Sequence, residues 1–136
     1  MIMVYRISFL LVLLVSCISS AYSDTCPTPD SLRERKIPGR YEWTVQEGVS
    51  LENILGAQRL YAVRIYNFDK YVSCRYTTGK WPVKIDGKPL NVKCRLLPET
   101  GVWTGTDSGT LVCREKDPAK CGFRQDCEQD LRKNPE

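Results

Sequence analysis

The chain of 136 residues carries 20 Lys and Arg, 16 Asp and Glu, seven Cys and no His. Its length fits one domain, and the small positive excess is not typical of nucleic-acid binding, which needs a clustered basic face. Without histidine, the chain has no Ser-His or Cys-His nucleophile pair and no histidine-containing zinc site. The composition excludes most hydrolytic and metal-dependent mechanisms, and we expect no cofactor.

The N-terminus has the pattern of an export signal. Arg6 supplies a positive charge, and the almost unbroken apolar run at residues 7–15 is followed by small residues. This run is about half of the roughly 20 residues that span a bilayer, so a cleaved signal peptide is favoured over a transmembrane helix.

Two processing sites compete at the end of this signal. Small residues in Ala21-Tyr22-Ser23 predict cleavage before Asp24. Alternatively, Leu14-Val15-Ser16-Cys17 resembles a lipobox, in which Cys17 becomes the lipidated first residue and anchors the protein to the envelope. We divide the chain into a signal peptide, residues 1–23, and a single exported domain, residues 24–136.

The exported domain begins with one predicted helix and continues with predicted strands. Thr28 as N-cap and Pro29 in the first turn predict a helix over Pro29–Lys36. Residues 41–45 alternate between apolar and polar, as a strand does. Residues 49–57 fit either a helical turn or a strand.

A hairpin linked by residues 67–69 is predicted from the next two alternating segments. The first, residues 59–66, places Tyr61, Val63 and Ile65 on one face. The second, residues 70–77, has its own apolar face, formed by Val72, Cys74 and Tyr76.

Further turns follow in the C-terminal half. Asp86-Gly87, between alternating segments at residues 81–85 and 90–96, predicts a second hairpin. Strands at residues 102–104 and 110–114 are joined by a glycine-containing loop. The polar tail, residues 124–136, is expected to carry a helical turn held through Cys127.

Six or seven short strands with turns between them predict a mainly β fold. We expect a small antiparallel β-sandwich or barrel with a short N-terminal helix. A domain of this size buries a limited core, so additional covalent links are expected to stabilise it.

The exported domain contains six cysteines, and an even number in an exported domain predicts a disulfide framework. They are Cys26, Cys74, Cys94, Cys113, Cys121 and Cys127. No Cys-x-x-Cys pair is present, which disfavours a metal site or an activated thiol. A charged segment with an Asp-Pro turn separates Cys113 from Cys121 and predicts a bridge between them. The residues alone leave the pairing of the other four open.

Aromatic and basic residues supply the candidate binding sites. Trp81, Trp103 and Tyr71 are candidates for ligand contact, whereas Trp43 and Tyr76 are expected in the core. The densest basic cluster, residues 33–40, has the charge to contact anionic lipid, lipopolysaccharide or peptidoglycan, but a solvated helix face is favoured. Spacing alone assigns no catalytic pair of carboxylates.

Several short motifs resemble a family of small exported bacterial proteins that has no assigned function. The matching features are Cys26-Pro27, Trp43, Cys74-Arg75-Tyr76, and Cys113 followed by Cys121-Gly122-Phe123. The resemblance implies a single all-β exported domain. It also implies that Cys26 pairs with Cys74 and that Cys94 and Cys127, which are additions to the family pattern, pair with each other.

These observations favour a non-enzymatic binding or interaction module of the bacterial envelope or extracellular space. We expect a protein, glycan or envelope partner and no nucleic acid, with membrane attachment only through the signal peptide or a lipid on Cys17. The alternatives are a small secreted hydrolase or enzyme inhibitor and a lipid-anchored envelope protein. Export places the protein in the periplasm or outside the cell.

Overall fold

The computed structural model describes residues 23–127 except 38, 47, 67–69 and 107. The predicted signal peptide, the alternative lipidation site Cys17, the turn at residues 67–69 and the end of the polar tail lie outside the described residues. The described residues form eight strands, two short α-helices and one 3₁₀ turn. The predicted mainly β fold is confirmed.

Two antiparallel sheets contain the strands. In chain order these are β1 (Tyr41–Val45), β2 (Arg59–Tyr66), β3 (Tyr71–Thr77), β4 (Val83–Pro89), β5 (Cys94–Pro98), β6 (Thr104–Gly105), β7 (Thr110–Cys113) and β8 (Phe123–Cys127). The large sheet has the order β1-β4-β3-β2-β7-β6, and the small sheet pairs β5 with β8. The predicted pairing of β2 with β3 is confirmed, and the strands predicted at residues 102–104 and 110–114 correspond to β6 and β7, which pair with each other. The start of the polar tail forms β8 rather than a helical turn, because it pairs with β5.

Two short helices, α1 (Pro29–Arg33) and α2 (Leu51–Leu55), precede β1 and β2 respectively. The Thr28 side chain accepts a hydrogen bond from an amide in the first turn of α1, as predicted for its N-cap. The helix ends before the predicted Lys36, because Arg35 adopts a left-handed φ of 57°. The segment that the pattern left ambiguous forms α2.

The predicted hairpin at Asp86-Gly87 is wrong. Both residues lie inside β4, which pairs with β1 on one side and with β3 on the other. Gly87 lies opposite Trp43, and a Cβ atom on it would come within 2.7 Å of the indole ring. Glycine is needed here for the close approach of an aromatic ring rather than for a turn. The chain instead leaves the large sheet after β4 and turns before β5.

A β-bulge interrupts β2 at Tyr61. The register of β2 against β3 shifts between Leu60 and Ala62, which leaves Tyr61 as an extra residue on its strand. The prediction that Tyr61 shares a face with Val63 and Ile65 is therefore wrong. Leu60 is buried in the core instead, and Tyr61 is half-buried.

The core lies between the inner face of the large sheet and a layer formed by the small sheet and the helices. The inner face contributes Leu60, Val63, Ile65, Val72, Cys74, Tyr76, Val83 and Ile85 to one apolar cluster. Leu32 of α1, Ile54 of α2, Leu96 of β5 and Phe123 of β8 complete it from the other layer. Tyr76 is fully buried and Trp43 packs against the cluster, as expected for core residues.

The N-terminal segment, residues 24–27, links the two sheets. Asp24 and Phe123 exchange backbone hydrogen bonds of 2.9 Å, which attaches the segment to β8 of the small sheet. Cys26 forms a disulfide with Cys74 at the centre of β3. The Tyr76 hydroxyl donates a hydrogen bond of 2.6 Å to the carbonyl of Pro27. One short segment therefore holds the sheets together through covalent and polar links.

Three disulfides pair the six cysteines of the described domain. Cys113 bonds to Cys121, as the turn between them predicts. The pairs Cys26–Cys74 and Cys94–Cys127 are those implied by the family resemblance. Beside the Cys113–Cys121 bridge, Gly101 has a φ of +92° and lies so close to the Lys120 carbonyl oxygen that a Cβ atom would come within 1.9 Å of it.

We predict that the Tyr76 hydroxyl makes the fold sensitive to alkaline pH. Burial raises the pKa of Tyr76 above its ordinary value, so its contribution to stability is complete below about pH 10 and declines above it, where the unfolded chain ionises. Tyr76→Phe should lower the free energy of unfolding at pH 7 by about 1–3 kcal/mol, because the Pro27 carbonyl loses its donor.

Urea unfolding measured between pH 7 and 11.5 checks this prediction. The gap between the native chain and Tyr76→Phe should narrow above about pH 10, by at most about 1.4 kcal/mol per pH unit. Two stability curves that stay parallel over this range would contradict it.

Candidate functional site

The large sheet has an outer face, turned away from the core, on which polar side chains lie in cross-strand rows. The central row contains Arg64 of β2, Ser73 of β3 and Asp86 of β4, which are successive partners in the strand register. The next row contains Ala62, Arg75 and Lys84. We call these two rows, with the adjacent pair Tyr66 and Tyr71, the outer face.

Positive charge is concentrated on the outer face. Arg75 and Lys84 lie directly opposite each other on neighbouring strands, and like charges in this arrangement are destabilising. Lys84 approaches Asp86 at 3.9 Å. Within the described residues, no ion pair joins Arg64 or Arg75 to a carboxylate. The outer face therefore carries an excess of cationic groups over the single Asp86.

Four buried polar atoms of the outer face have no hydrogen-bond partner within the described chain. They are Arg64 Nε, Ser73 Oγ, Arg75 Nε and Asp86 Oδ1, and all four belong to the central row or to the row next to it. A buried polar group without a partner costs about 1–3 kcal/mol, and most native groups avoid this. The four atoms therefore cluster at one place on the large sheet.

Two tyrosines extend over the same face. The Tyr66 and Tyr71 rings stack with centroids 4.6 Å apart and planes 14° from parallel. Arg75 donates a hydrogen bond of 3.2 Å from Nη2 to the Tyr66 hydroxyl. Since Tyr66 and Arg75 lie on either side of the central row, their side chains meet above Ser73, which is fully buried.

At one end of the large sheet lies a groove of about 630 Å³. Its lining combines the start of β2, the end of β3 and the loop between Cys113 and Cys121. Four exposed cations line this groove, which we call the basic groove: Arg59, Arg114, Lys116 and Lys120. Glu115 and Asp117 are its acidic members.

A smaller cavity of about 260 Å³ adjoins the basic groove. Arg75 and Lys84 of the outer face line this cavity, together with Gln46 and Pro82. Tyr61, the bulge residue, lines both the cavity and the groove. The bulge therefore places an aromatic side chain between two groups of cations.

Trp81 lies in the turn between β3 and β4, next to the smaller cavity. Thr78 orders this turn, because its hydroxyl accepts from the Lys80 and Trp81 amides and donates to the Trp81 carbonyl at 2.5 Å. The Lys80 ammonium lies 6.0 Å from the indole centroid, and Trp81 is 52% exposed. Among the three predicted aromatic contacts, Trp81 presents an accessible ring, and the next residue, Pro82, lines the smaller cavity.

The other two predicted aromatic contacts lie elsewhere. Trp103 donates a hydrogen bond of 2.8 Å from its indole N–H to the Thr100 carbonyl and packs partly against the core. Tyr71 lies at the start of β3, while Trp81 follows its end, so roughly 20 Å of strand separates them. The structure therefore does not bring Trp81, Trp103 and Tyr71 together into one aromatic surface.

The basic cluster near the N-terminus is largely neutralised by local partners. Arg33 pairs with Asp30 and also donates to the Ala57 carbonyl. Lys36 lies 3.8 Å from Glu34, and Arg40 lies 3.8 Å from Asp24. These contacts fit the solvated helix face that the sequence favours.

Cations from distant segments meet at the basic groove and the outer face, and sequence reasoning missed both sites. Arg59 and Arg114 are far apart in the chain, and neither belongs to a dense run of basic residues. The sequence contains one indication of the basic groove. Arg114, Lys116 and Lys120 all lie within the short loop that the predicted Cys113–Cys121 bridge closes.

Comparisons with protein-family models, with curated proteins and with solved structures find no match to this chain. The family resemblance of the sequence therefore stays a prediction. Among the described residues, no group of three or more Cys, Asp or Glu is arranged to hold a metal ion. None of the described helices is long and apolar enough to cross a bilayer.

We predict that Arg75 lowers the stability of the fold. Arg75→Met keeps most of the aliphatic stem and removes the repulsion with Lys84 and the unpartnered Nε, effects that we expect to outweigh the loss of the 3.2 Å hydrogen bond to the half-buried Tyr66, whose hydroxyl can bond to water instead. The free energy of unfolding should rise by about 0.2–1 kcal/mol at low salt. The gain should shrink in 0.5 M NaCl, where the Debye length falls to roughly 4 Å.

Arg95→Met is the matched control, because the Arg95 Nε lies 3.1 Å from Asp126 in an ion pair on the small sheet. This variant should not gain stability. Urea unfolding at both salt concentrations measures the effect, and a loss of 1 kcal/mol or more for Arg75→Met at both would assign Arg75 a structural role.

Proposed function

We propose that this protein is an exported, disulfide-stabilised binding module of the bacterial envelope or extracellular space, without catalytic activity, that recognises an acidic partner. The outer face carries this proposal. Arg64, Arg75 and Lys84 lie there on three adjacent strands, with Asp86 as the neighbouring counter-charge. A partner with negative charge would relieve the repulsion between Arg75 and Lys84.

The two arginines of the outer face support the same conclusion. Arginine donates through a planar set of N–H groups that matches carboxylate, phosphate and sulfate oxygens. Arg64 and Arg75 are each half-buried, so part of each residue stays accessible although its Nε atom is buried. An acidic partner that contacts the accessible part gains charge-assisted hydrogen bonds.

Export is supported by the cysteine chemistry. Three disulfides persist in an oxidising compartment, and thiols in a reducing cytosol stay unpaired. Cleavage before Asp24 is compatible with the fold, because the Asp24 amide donates to the Phe123 carbonyl and a new terminal ammonium there keeps a donor. Processing at Cys17 would instead leave a short lipid-anchored tether ahead of the same contacts.

We predict that the full chain, expressed in a bacterial host with an oxidising periplasm, is recovered as a processed protein beginning at Asp24. Its intact mass should be about 6 Da below that of the fully reduced form, which corresponds to three bridges. Mass spectrometry with and without reductant measures both features. Acyl labelling that is lost in Cys17→Ala would support the lipoprotein instead. Free thiols on the recovered protein would contradict export with all three disulfides formed.

We also predict selective binding to acidic probes through the outer face. The recovered protein should bind immobilised heparin and polygalacturonate but not neutral dextran. The double variant Arg64→Gln/Arg75→Gln should weaken binding about tenfold, since charge-assisted hydrogen bonds are lost. The control variant Arg95→Gln/Arg124→Gln removes the same charge from the small sheet and should change affinity less than twofold.

Biolayer interferometry measures these affinities, and circular dichroism verifies the fold of each variant. Failure to bind any acidic probe would overturn the proposed function. Equal losses in the outer-face variant and the small-sheet variant would show that net charge, rather than the outer face, determines binding.

A further inference from the structure

The basic groove is held in shape by covalent and polar contacts. The Cys113–Cys121 disulfide closes the loop that supplies Arg114, Lys116 and Lys120. Inside the loop, the 3₁₀ turn over residues 118–120 is capped by Asp117, whose Oδ1 accepts from the Ala119 amide at 3.0 Å. A binding site ordered before its ligand arrives loses less conformational entropy on binding.

The acidic residues of the groove do not neutralise its cations. Asp117 is occupied in capping the 3₁₀ turn. Within the described chain, no ion pair joins Glu115 or Asp117 to any of the four cations in the groove. All four cations are exposed, so they are accessible to a ligand.

Tyr61 lines both the groove and the smaller cavity, and Arg75 and Lys84 line that cavity with it. Cations therefore lie on both sides of one aromatic residue. Hydrogen-bonding side chains accompany them, with Thr77 in the groove and Gln46 in the cavity. A ligand that follows this path meets charged groups, a ring face and polar groups in succession.

We propose that the basic groove binds a chain of an acidic polysaccharide, whose uronate or sulfate groups contact the cations while one sugar ring packs on Tyr61. This inference rests on the proposed binding function and names its ligand class. A sugar ring has an apolar face that suits an aromatic side chain, and its hydroxyls suit Thr77 and Gln46. A single-stranded nucleic acid would instead be expected to use several aromatic residues for base stacking.

Oligogalacturonates of increasing length test the proposal against the full chain recovered from an exporting host. Affinity should rise from the disaccharide upward and then level off, because each added uronate reaches a further cation until the groove is filled. Isothermal titration calorimetry at several salt concentrations gives both the affinity and its salt dependence. Single-stranded DNA and phosphatidylglycerol vesicles are measured in parallel. Both should bind more weakly than the longest oligogalacturonate.

Four variants, one of them a control, separate charge from ring packing. Arg114→Gln/Lys116→Gln should weaken oligogalacturonate binding about tenfold and reduce its salt dependence. Tyr61→Ser should weaken it several-fold with the salt dependence unchanged, whereas Tyr61→Phe should retain the affinity. Lys93→Gln/Arg124→Gln, which removes two exposed cations elsewhere, is the charge-matched control and should change affinity less than twofold.

The outcomes distinguish this inference from the function on which it rests. If oligogalacturonate binds but depends on Arg64 and Arg75 and not on Arg114, Lys116 or Tyr61, the groove assignment is wrong and the binding function stands. Tighter binding to DNA or to vesicles would overturn the polysaccharide. If none of the acidic probes binds, both proposals fall.

Discussion

The attachment of residues 24–27 to both sheets is the constraint on which the rest of the structure depends. Asp24 extends the small sheet through Phe123, while Cys26 and Pro27 are bound to β3 of the large sheet. In the chain-entropy model, closing the 48-residue separation between Cys26 and Cys74 stabilises the fold by about 4 kcal/mol. That amount is comparable to the whole stability of a small domain. The segment bonds to both sheets and therefore holds the apolar inner face of the large sheet against the small sheet.

The two faces of the large sheet therefore differ in how far their polar atoms are paired. On the inner face, Cys74 and Tyr76 have their polar atoms in a disulfide and a hydrogen bond. On the outer face, buried atoms of Arg64 and Ser73 have no hydrogen-bond partner among the described residues, and like charges lie opposite each other. A domain held by three disulfides can tolerate a destabilised surface, because the covalent links limit the unfolded ensemble. Violations of local rules of this kind are expected at functional or strained sites.

Features governed by local periodicity and chemistry were predictable from the sequence. The inner face of β3 follows from alternation, and the Cys113–Cys121 bridge follows from the turn between its ends. Asp86-Gly87 carries the strongest local signal for a hairpin, yet it forms part of a central strand. The reason is a tertiary contact, since Trp43 occupies the space above Gly87. No local pattern contains that information.

The candidate sites were harder to predict, for a related reason. A dense run of basic residues attracts attention, but residues close in sequence also find acidic neighbours close by, as Arg33 does with Asp30. The cations of the groove and the outer face come from β2, β3, β4 and the loop after β7, and strand pairing brings them together. The Tyr61 bulge depends on register, which single-strand alternation does not reveal.

The Cys113–Cys121 bridge differs from the other two in what it contributes. Its ends are 8 residues apart, and the chain-entropy model assigns such a loop about 2.5 kcal/mol, well below the value for Cys26–Cys74. It joins the end of β7 to residues just before β8, and the Thr100 hydroxyl donates a hydrogen bond of 3.4 Å to the Ala119 carbonyl of the same loop. Both contacts restrict a segment that is exposed, charged and largely outside the core. The bridge itself lies in the core, since Cys113 and Cys121 are both fully buried, and by fixing the two ends of the loop it also fixes where Arg114, Lys116 and Lys120 lie along the groove.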